Sequence, residues 1–296
     1  MERSFQNVKR PLRLDVMAVV VPRDLSGVLA ALQNEPEAHL LAGGTDLMVE
    51  VNFGHRKPPA VVCLRNVREL RERTRSATHL RLGSGVTYTD LAAADIAAAL
   101  PALTAAARTV GSPQIRNAGT LGGNVGTGSP AGDTLPVLAA LDAVIELVDV
   151  TGAERSVSWR EFFLSPKRTS RRADEVITGV TVPLVESRQD YLKVGTRNAM
   201  VISVAGLALV VDITNRQVRC ALGSVGPVPL RATAAEEWVG EQIDWDGVRI
   251  DDPRTYETFA SMVADAARPI DDHRSTADYR RHAVKVMAQR SLMRLL

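Results

Sequence analysis

Ala42-Gly43-Gly44-Thr45-Asp46-Leu47 and, further along the chain, Thr120-Leu121-Gly122-Gly123-Asn124 are the two segments on which the fold turns. A glycine pair leaves the main chain without Cβ cover. Amide N–H groups can then reach an oxyanion, and positive φ is open to the backbone. Two such segments can hold the two phosphates of a dinucleotide from opposite sides. Thr45, Thr120, Asn124, Thr127 and Ser129 add hydroxyl and amide donors. A hydrogen bond to a charged acceptor contributes about 1.5–3 kcal/mol, so several together matter. Gly-Gly is also ordinary turn punctuation, and each pair follows an apolar run (His39-Leu40-Leu41; Ile115 to Leu121). The polar company separates the two readings. The second segment continues as Asn124-Val125-Gly126-Thr127-Gly128-Ser129-Pro130-Ala131-Gly132-Asp133, too rich in glycine for a packed strand and too regular in its hydroxyls for a slack linker. The two glycine loops therefore read as the site of a flavin dinucleotide.

The 296 residues are 45% apolar and 24% charged. Such a chain buries about three quarters of its unfolded surface, in one large or two medium domains. Lysine and arginine number 36 against 34 acidic residues, a net charge of +2. That balance argues against nucleic acid or a membrane surface as the main partner. The basic C-terminal residues Arg280, Arg281, Lys285, Arg290 and Arg294 are spaced as the wet side of a helix. Cys63 and Cys220 both lie in apolar runs and are expected as buried free thiols. Two thiols cannot build a four-thiolate iron–sulfur centre or a structural zinc site. Met1 to Asn7 contains no h-region, and Val16 to Val21 is too short to span a bilayer. A cytoplasmic, reduced protein with no membrane insertion is expected.

Leu12 to Val21 predicts a strand closed by Pro22, Asp24 caps a helix through about Gln33, and Ala38 to Leu41 is a strand leading into the first glycine loop. Ala60 to Leu64 and His79 to Gly83 are further strands. Thr87-Tyr88-Thr89-Asp90 is a capping box opening an alanine-rich helix, and Pro101 starts a second helix through about Thr109. Pro136 suits the first residue of a helix, Val137 to Leu141, before a strand at Val144 to Val150. Ser158-Trp159-Arg160-Glu161 is a second capping box. The chain turns polar between Pro183 and Asp190. Strands follow at Tyr191 to Val194, Val201 to Asp212 and Gln217 to Val225, an antiparallel sheet. Helices close the chain at Ala232 to Val239, Arg254 to Ala267 and Asp278 to Leu295, with Tyr279, Ala283, Val286, Met287 and Met293 expected as core on the last. The whole is an α+β chain.

Gly126-Thr127-Gly128-Ser129-Pro130-Ala131 matches a relaxed GxGxxA, but Pro130 and Gly132 prevent a helix from starting at its third position, so it is not a Rossmann fingerprint. There is no P-loop and no GxSxG elbow. The five histidines show no metal-site spacing. Asp271-Asp272-His273 either ligates a metal or caps the final helix, and its place just before that helix favours the cap.

With both glycine segments in hand, the chain resembles the FAD-binding subunit of molybdenum hydroxylases of the xanthine dehydrogenase and carbon monoxide dehydrogenase type. The resemblance spans nearly the whole length. It rests on AGGTDL at 42–47, LGSGVTYTDL at 82–91, IRNAGTLGGNVGTGSPAGDTLPVLAALDA at 115–143, KVGTRNAM at 193–200 and DDHRSTADYRRH at 271–282. It implies a vanillyl-alcohol-oxidase-type (PCMH-type) FAD-binding domain over residues 1–186, in subdomains of about 1–62 and 63–186. A small C-terminal domain of antiparallel sheet plus helices follows over 187–296. It places the pyrophosphate grip on Leu41, Ala42, Gly43, Gly44, Thr45, Asp46 and Leu47 and on Gly119, Thr120, Gly123 and Asn124. Contacts to the ribityl and adenosine parts fall on Thr127, Gly132 and Asp133. A carboxylate at 133 suits a ribose or ribityl hydroxyl, and it could equally cap the helix before Pro136. The resemblance puts Lys193 near the isoalloxazine, where a cation would raise the flavin potential, and Ile177 against the ring. A lysine there could also be an ordinary surface residue at the start of a strand. Val110 stands where xanthine dehydrogenases stack an aromatic.

The implied function is electron exit. FAD on this chain takes electrons from the [2Fe–2S] centres of a small iron–sulfur subunit, fed by a large molybdopterin subunit in a heterotrimeric unit. It passes them to NAD, a quinone or oxygen. The four-cysteine insertion of some relatives that reduce aromatic CoA thioesters is missing here. No residue is nominated as a catalytic acid or base and none as a metal ligand. Two alternatives remain: a self-contained flavin oxidase, and a non-catalytic nucleotide-binding or assembly subunit. The first would need a base or substrate pocket over the ring, and the second would sit with lost glycines or a lost Asp133.

Overall fold

The structure, a computed structural model, describes residues 17–296. Among the described residues, three larger sheets and one two-stranded sheet organise the α+β fold. The first is small and parallel. It is built from β1 (Ala18–Val20), α1 (Leu25–Asn34), β2 (His39–Leu41), α2 (Leu47–Asn52) and β3 (Ala60–Cys63), in strand order β1-β3-β2. Asp24 caps α1 by accepting from the Gly27 amide at 2.8 Å. The expected first strand is seen from Ala18, and Leu12 to Val16 lie outside the described residues. Cys63, at the end of β3, is half-buried rather than buried.

The second sheet is antiparallel. Its first strands are β4 (Arg73–Arg75) and β5 (His79–Gly83), which lead into the helices α3 (Ala94–Ala99), α4 (Pro101–Thr109), α5 (Pro113–Ala118), α6 (Leu121–Thr127) and α7 (Thr134–Ala140). Then come β6 (Val144–Asp149), β7 (Glu154–Ser158), the short α8 (Trp159–Phe162), a hairpin of β8 (Phe163–Ser165) and β9 (Arg168–Thr169), and β10 (Glu175–Pro183). The order is β4-β5-β10-β6-β7. The Thr87–Asp90 box forms as expected, with the Thr87 amide on Asp90 Oδ2 at 2.9 Å and the Asp90 amide on Thr87 Oγ1 at 3.1 Å. It opens a single 3₁₀ turn before α3.

The second glycine segment corrects the loop expected of it. Residues 121–127 are helical, because Thr120 caps the helix by accepting from the Gly123 amide at 3.0 Å and Gly128 ends it at φ 58°. Glycine costs only about 1 kcal/mol in a helix, and tight packing offsets that here. α7 begins at Thr134, so Pro136 is inside its first turn rather than first. Every residue of α7 is buried, as a helix apolar all round must be.

The third sheet, β11 (Ser187–Val194), β12 (Ala205–Asp212), β13 (Gln217–Gly223) and β14 (Leu230–Arg231), is antiparallel in that order. It is followed by α9 (Thr233–Gly240), α10 (Arg254–Ala266) and α11 (Ala277–Leu295). All of β12 is buried. Leu207, Leu209 and Val211 join the core beneath α9–α11, while Ala208 and Val210 join the core around α4 and α7. Alternation on a strand thus serves two cores at once.

On α11 the core face is Ala283, Val284, Met287, Ala288, Leu292 and Leu295. Tyr279 (51% exposed) and Met293 (57%) are at the surface, contrary to their spacing. Arg280, expected on the wet side, is buried instead, because Asp272 and two carbonyls receive its guanidinium. Thr276 caps the helix by accepting from the Tyr279 amide at 3.3 Å, and Asp271 accepts from the Ala277 amide at 2.5 Å.

Candidate functional site

The connection from β2 to α2 carries the first glycine segment. Gly43 is a glycine because it lies against the carbonyl of Ala118. A Cβ would overlap that group and come within 2.9 Å of Gly119 Cα. Gly44 has φ 72°, the left-handed region that glycine enters without strain. Across the gap, Ala42 Cβ would be 3.8 Å from a Cβ on Gly123, and Thr127 Oγ1 donates to Asp46 Oδ2 at 3.5 Å. The two glycine segments therefore abut.

Their amides are in different states. Among the described residues, the N–H groups of Gly43, Gly44, Thr45, Asp46 and Leu47 meet no acceptor. Those of Leu121, Gly122 and Gly123 are already spent on Val86 O (2.9 Å), Ser84 O (2.8 Å) and Thr120 Oγ1 (3.0 Å). Gly122 is bare so that α6 can press onto Ser84, whereas a Cβ on Gly123 would meet only its own cap and Ala42. These residues are half-buried or exposed, and Leu47 opens α2, so their amides are free to meet solvent or a ligand. An acceptor-rich group such as a diphosphate fits them.

A cavity of about 210 Å³ opens beside α6, lined by Tyr88, Val110, Gly111, Asn124, Ala131, Gly132, Asp133 and Met200 to Ile202. Asp133 lies in its wall. Its Oδ1 accepts from Ser203 Oγ (2.5 Å) and Tyr191 Oη (3.2 Å), and its Oδ2 accepts from Lys193 Nζ (2.6 Å). The Lys193 and Asp133 side chains are 8% and 7% exposed, and Lys193 also donates to Thr109 O at 3.2 Å. Asp133 occupies the N-cap position of α7 but makes no capping bond. Lys193 is neither at the start of β11 nor at the surface.

Burial pushes the Tyr191 phenol well above its ordinary pKa, with Asp133 adding to the effect. Burial does the same for Tyr88, helped by the Asp133 and Asp46 carboxylates. Both phenols therefore stay protonated as donors at neutral pH. Asn124 accepts from Thr134 Oγ1 at 2.6 Å through Oδ1, which fixes its amide so that Nδ2 faces Gly132. Arg116 braces the opposite wall by donating to Val110 O (3.1 Å) and Gly111 O (2.9 Å).

The structure thus brings Ala42, Gly43 and Asp46 of the first segment against Gly119, Gly123 and Thr127, while Val110, Asn124, Gly132 and Asp133 line the cavity beside α6 and Lys193 meets its wall through Asp133. Ile177 also packs against α6, and like residues 41–47 and Lys193 it is not among the residues that line the cavity. It is 6% exposed, and its Cδ1 lies 3.4 Å from where a Cβ on Gly126 would be. Sequence reasoning missed Tyr88, Arg116, Tyr191 and Ser203. Tyr88 stood in plain view within TYTDL, whereas Tyr191 and Ser203 look like ordinary strand and loop residues until the sheet folds.

Residues 13–185 match the family described as FAD binding domain in molybdopterin dehydrogenase, and residues 190–295 match the CO dehydrogenase flavoprotein C-terminal domain. The chain is 30% identical to the glyceraldehyde dehydrogenase medium chain of Sulfolobus acidocaldarius, over 90% of this chain and 94% of that one. It is 33% identical to the nicotinate dehydrogenase FAD-subunit of Eubacterium barkeri, over 83% and 86%. Among solved structures, quinoline 2-oxidoreductase from Pseudomonas putida superposes with a TM-score of 0.86 at 25% identity, over 95% of this chain and 96% of that one. Carbon monoxide dehydrogenase from Hydrogenophaga pseudoflava superposes with a TM-score of 0.84 at 26% identity, over 94% and 96%.

Proposed function

This chain belongs to the family of FAD-binding domains in molybdopterin dehydrogenases, and from that premise we propose that it is the electron-exit subunit of a molybdenum hydroxylase complex. It is an oxidoreductase subunit whose cofactor is FAD. Its partners in this reading are a small iron–sulfur subunit and a large molybdopterin subunit. Its acceptor is NAD, a quinone or oxygen. Two cysteines cannot build a four-thiolate iron–sulfur centre, so in this reading the electrons arrive from the iron–sulfur subunit.

The row of unpaired amides from Gly43 to Leu47, pressed against the second glycine segment, carries the reading. In it these amides hold the pyrophosphate, with Leu41 and Ala42 shaping the entry and Gly119, Thr120 and Gly123 forming the facing wall. Asn124 and Thr127 add side-chain donors. When bound, FAD supplies a carrier that takes electrons singly and releases them in pairs. Gly132 leaves room at the cavity wall, and Asp133 keeps acceptor capacity for one ribityl or ribose hydroxyl beyond its three internal donors. Lys193 Nζ lies 2.6 Å from Asp133 Oδ2, so the two form a buried ion pair rather than leaving a bare cation. Val110 offers the cavity a small apolar surface without stacking.

The test uses the full-length chain expressed alone, by visible spectrum and by identification of the released cofactor. One FAD per chain supports the reading, and FMN or no flavin sinks it. Organic substrate should reduce the flavin only when the partner subunits are present. Rapid reduction of the isolated chain would favour a self-contained oxidase instead.

A further inference from the structure

The stretch DDHRSTADYRRH contributes no residue to the cavity, yet one of its three arginines is among the most buried charges of the fold. Arg280 is 3% exposed. Its Nη1 donates to Val204 O at 3.0 Å and to Ser224 O at 2.7 Å, and its Nη2 donates to Asp272 Oδ1 at 2.6 Å. Asp272 is held in turn by the amides of Arg274 (2.8 Å) and Ser275 (3.1 Å) and by the Arg274 guanidinium.

Each carbonyl that Arg280 grips belongs to a segment that grips the cavity wall. Ser203, next to Val204, donates to Asp133 Oδ1 at 2.5 Å. Ser224 donates its amide to Pro130 O at 2.9 Å, and Pro130 opens the stretch Ala131-Gly132-Asp133 that lines the cavity. Ser224 has φ 62°, a conformation that disfavours a side chain and persists only where the surroundings impose it. Here its amide and its carbonyl are both tied, to the cavity wall and to Arg280.

We propose that Asp272 and Arg280 form a positioning pair that sets the place of Asp133 in the cofactor cavity. A guanidinium can hold two carbonyls and a carboxylate in fixed relation, whereas an ammonium on a flexible stem cannot. The pair therefore fixes the spacing between Ser203 and Ser224, and with it the position of residues 130–133. The inference rests on the FAD reading above.

The test measures FAD dissociation and the visible spectrum of bound flavin for the full chain, for Arg280→Lys and for Asp272→Asn, each also combined with Asp133→Asn. Arg280→Lys is expected to weaken FAD binding about tenfold, the scale on which remote packed residues modulate a site. In the Asp133→Asn background it should change binding less than about twofold, as expected for residues acting through one group. If Arg280→Lys does not fold, the isosteric Asp272→Asn carries the comparison. Variants that melt earlier but keep wild-type affinity and spectrum overturn the inference, as do losses additive with Asp133→Asn. A wild-type chain that binds no FAD defeats the functional reading and this inference with it. A wild-type chain that binds, alongside variants that bind equally well, defeats this inference alone.

Discussion

Gly43 and Ala118 meet main chain to main chain, with no room for even one methyl group between them. This contact closes the first glycine segment onto the second. Gly43→Ala must therefore push the segments apart and move the row of unpaired amides. We expect loss of FAD together with destabilisation of about 1–3 kcal/mol, the range for overpacking, read by cofactor retention and thermal melting. Gly123→Val is the informative contrast. A Cβ there would meet Thr120 Oγ1 at 3.0 Å and Ala42 Cβ at 3.8 Å with no main-chain overlap, so the flavin-free chain should melt closer to wild type than Gly43→Ala does while FAD binding fails. A Gly123→Val protein that purifies fully yellow would show the assignment to be wrong.

Lys193 and Asp133 are buried together, and each leaves the other uncompensated when removed. Lys193→Met or Asp133→Leu should cost about 3–5 kcal/mol in denaturant unfolding. The double replacement should cost clearly less than the sum. Additive single losses would mean that the pair is not coupled.

Hydrogen bonds from Arg274, Ser275 and Arg280 overcome the effect of burial and hold the Asp272 carboxyl far below its ordinary value of 3.8. A depressed folded-state pKa stabilises above the unfolded value, and that contribution fades as pH falls toward the folded one. The stability gap between wild type and Asp272→Asn should therefore be flat from neutral pH to about pH 5 and shrink on further acidification. A gap that widens below pH 4 would contradict the assigned contacts.

Asp142, at φ 50°, joins Arg219 (3.1 Å) and Arg231 (2.9 Å) and accepts from Trp159 Nε1 at 3.3 Å. It ties the turn between α7 and β6 to the third sheet. Asp142→Ala removes charge-assisted bonds from two nearly buried arginines, although Asp142 itself is 41% exposed. We expect a loss of about 2 kcal/mol in unfolding free energy, with FAD affinity unchanged. An unchanged stability would show the bridge to be idle.

What could be read from the chain follows from how local each signal is. Asp24 and Pro101 mark helix starts through contacts within a few residues, and those helices formed where expected, whereas the Thr87–Asp90 box formed but opened only a 3₁₀ turn. Apolar runs named β12 and β13, but only the folded sheet shows that each face of β12 meets a different core. The helix at 121–127 was illegible because its glycines advertise a loop. What makes them helical is the Thr120 cap and the press of Gly122 against Ser84, a contact across many residues. Arg280 misled for a similar reason, since helical spacing shows which residues share a face and not which charge finds buried acceptors. In the candidate site, the glycines announced themselves through missing side chains. Tyr191 and Ser203 gained their partner only when β11 and the segment before β12 closed over Asp133.

The two-sided burial of β12 has a practical corollary for protein engineering. Ala208, Val210 and Ala221 are shaped to α4 and α7, while Leu207, Leu209 and Leu222 are shaped to α9–α11. A chimera that joins the C-terminal part of one relative to the nucleotide-holding part of another would inherit a mismatched seam. Such grafts should stay soluble only when the sheet travels with the two helices that face it.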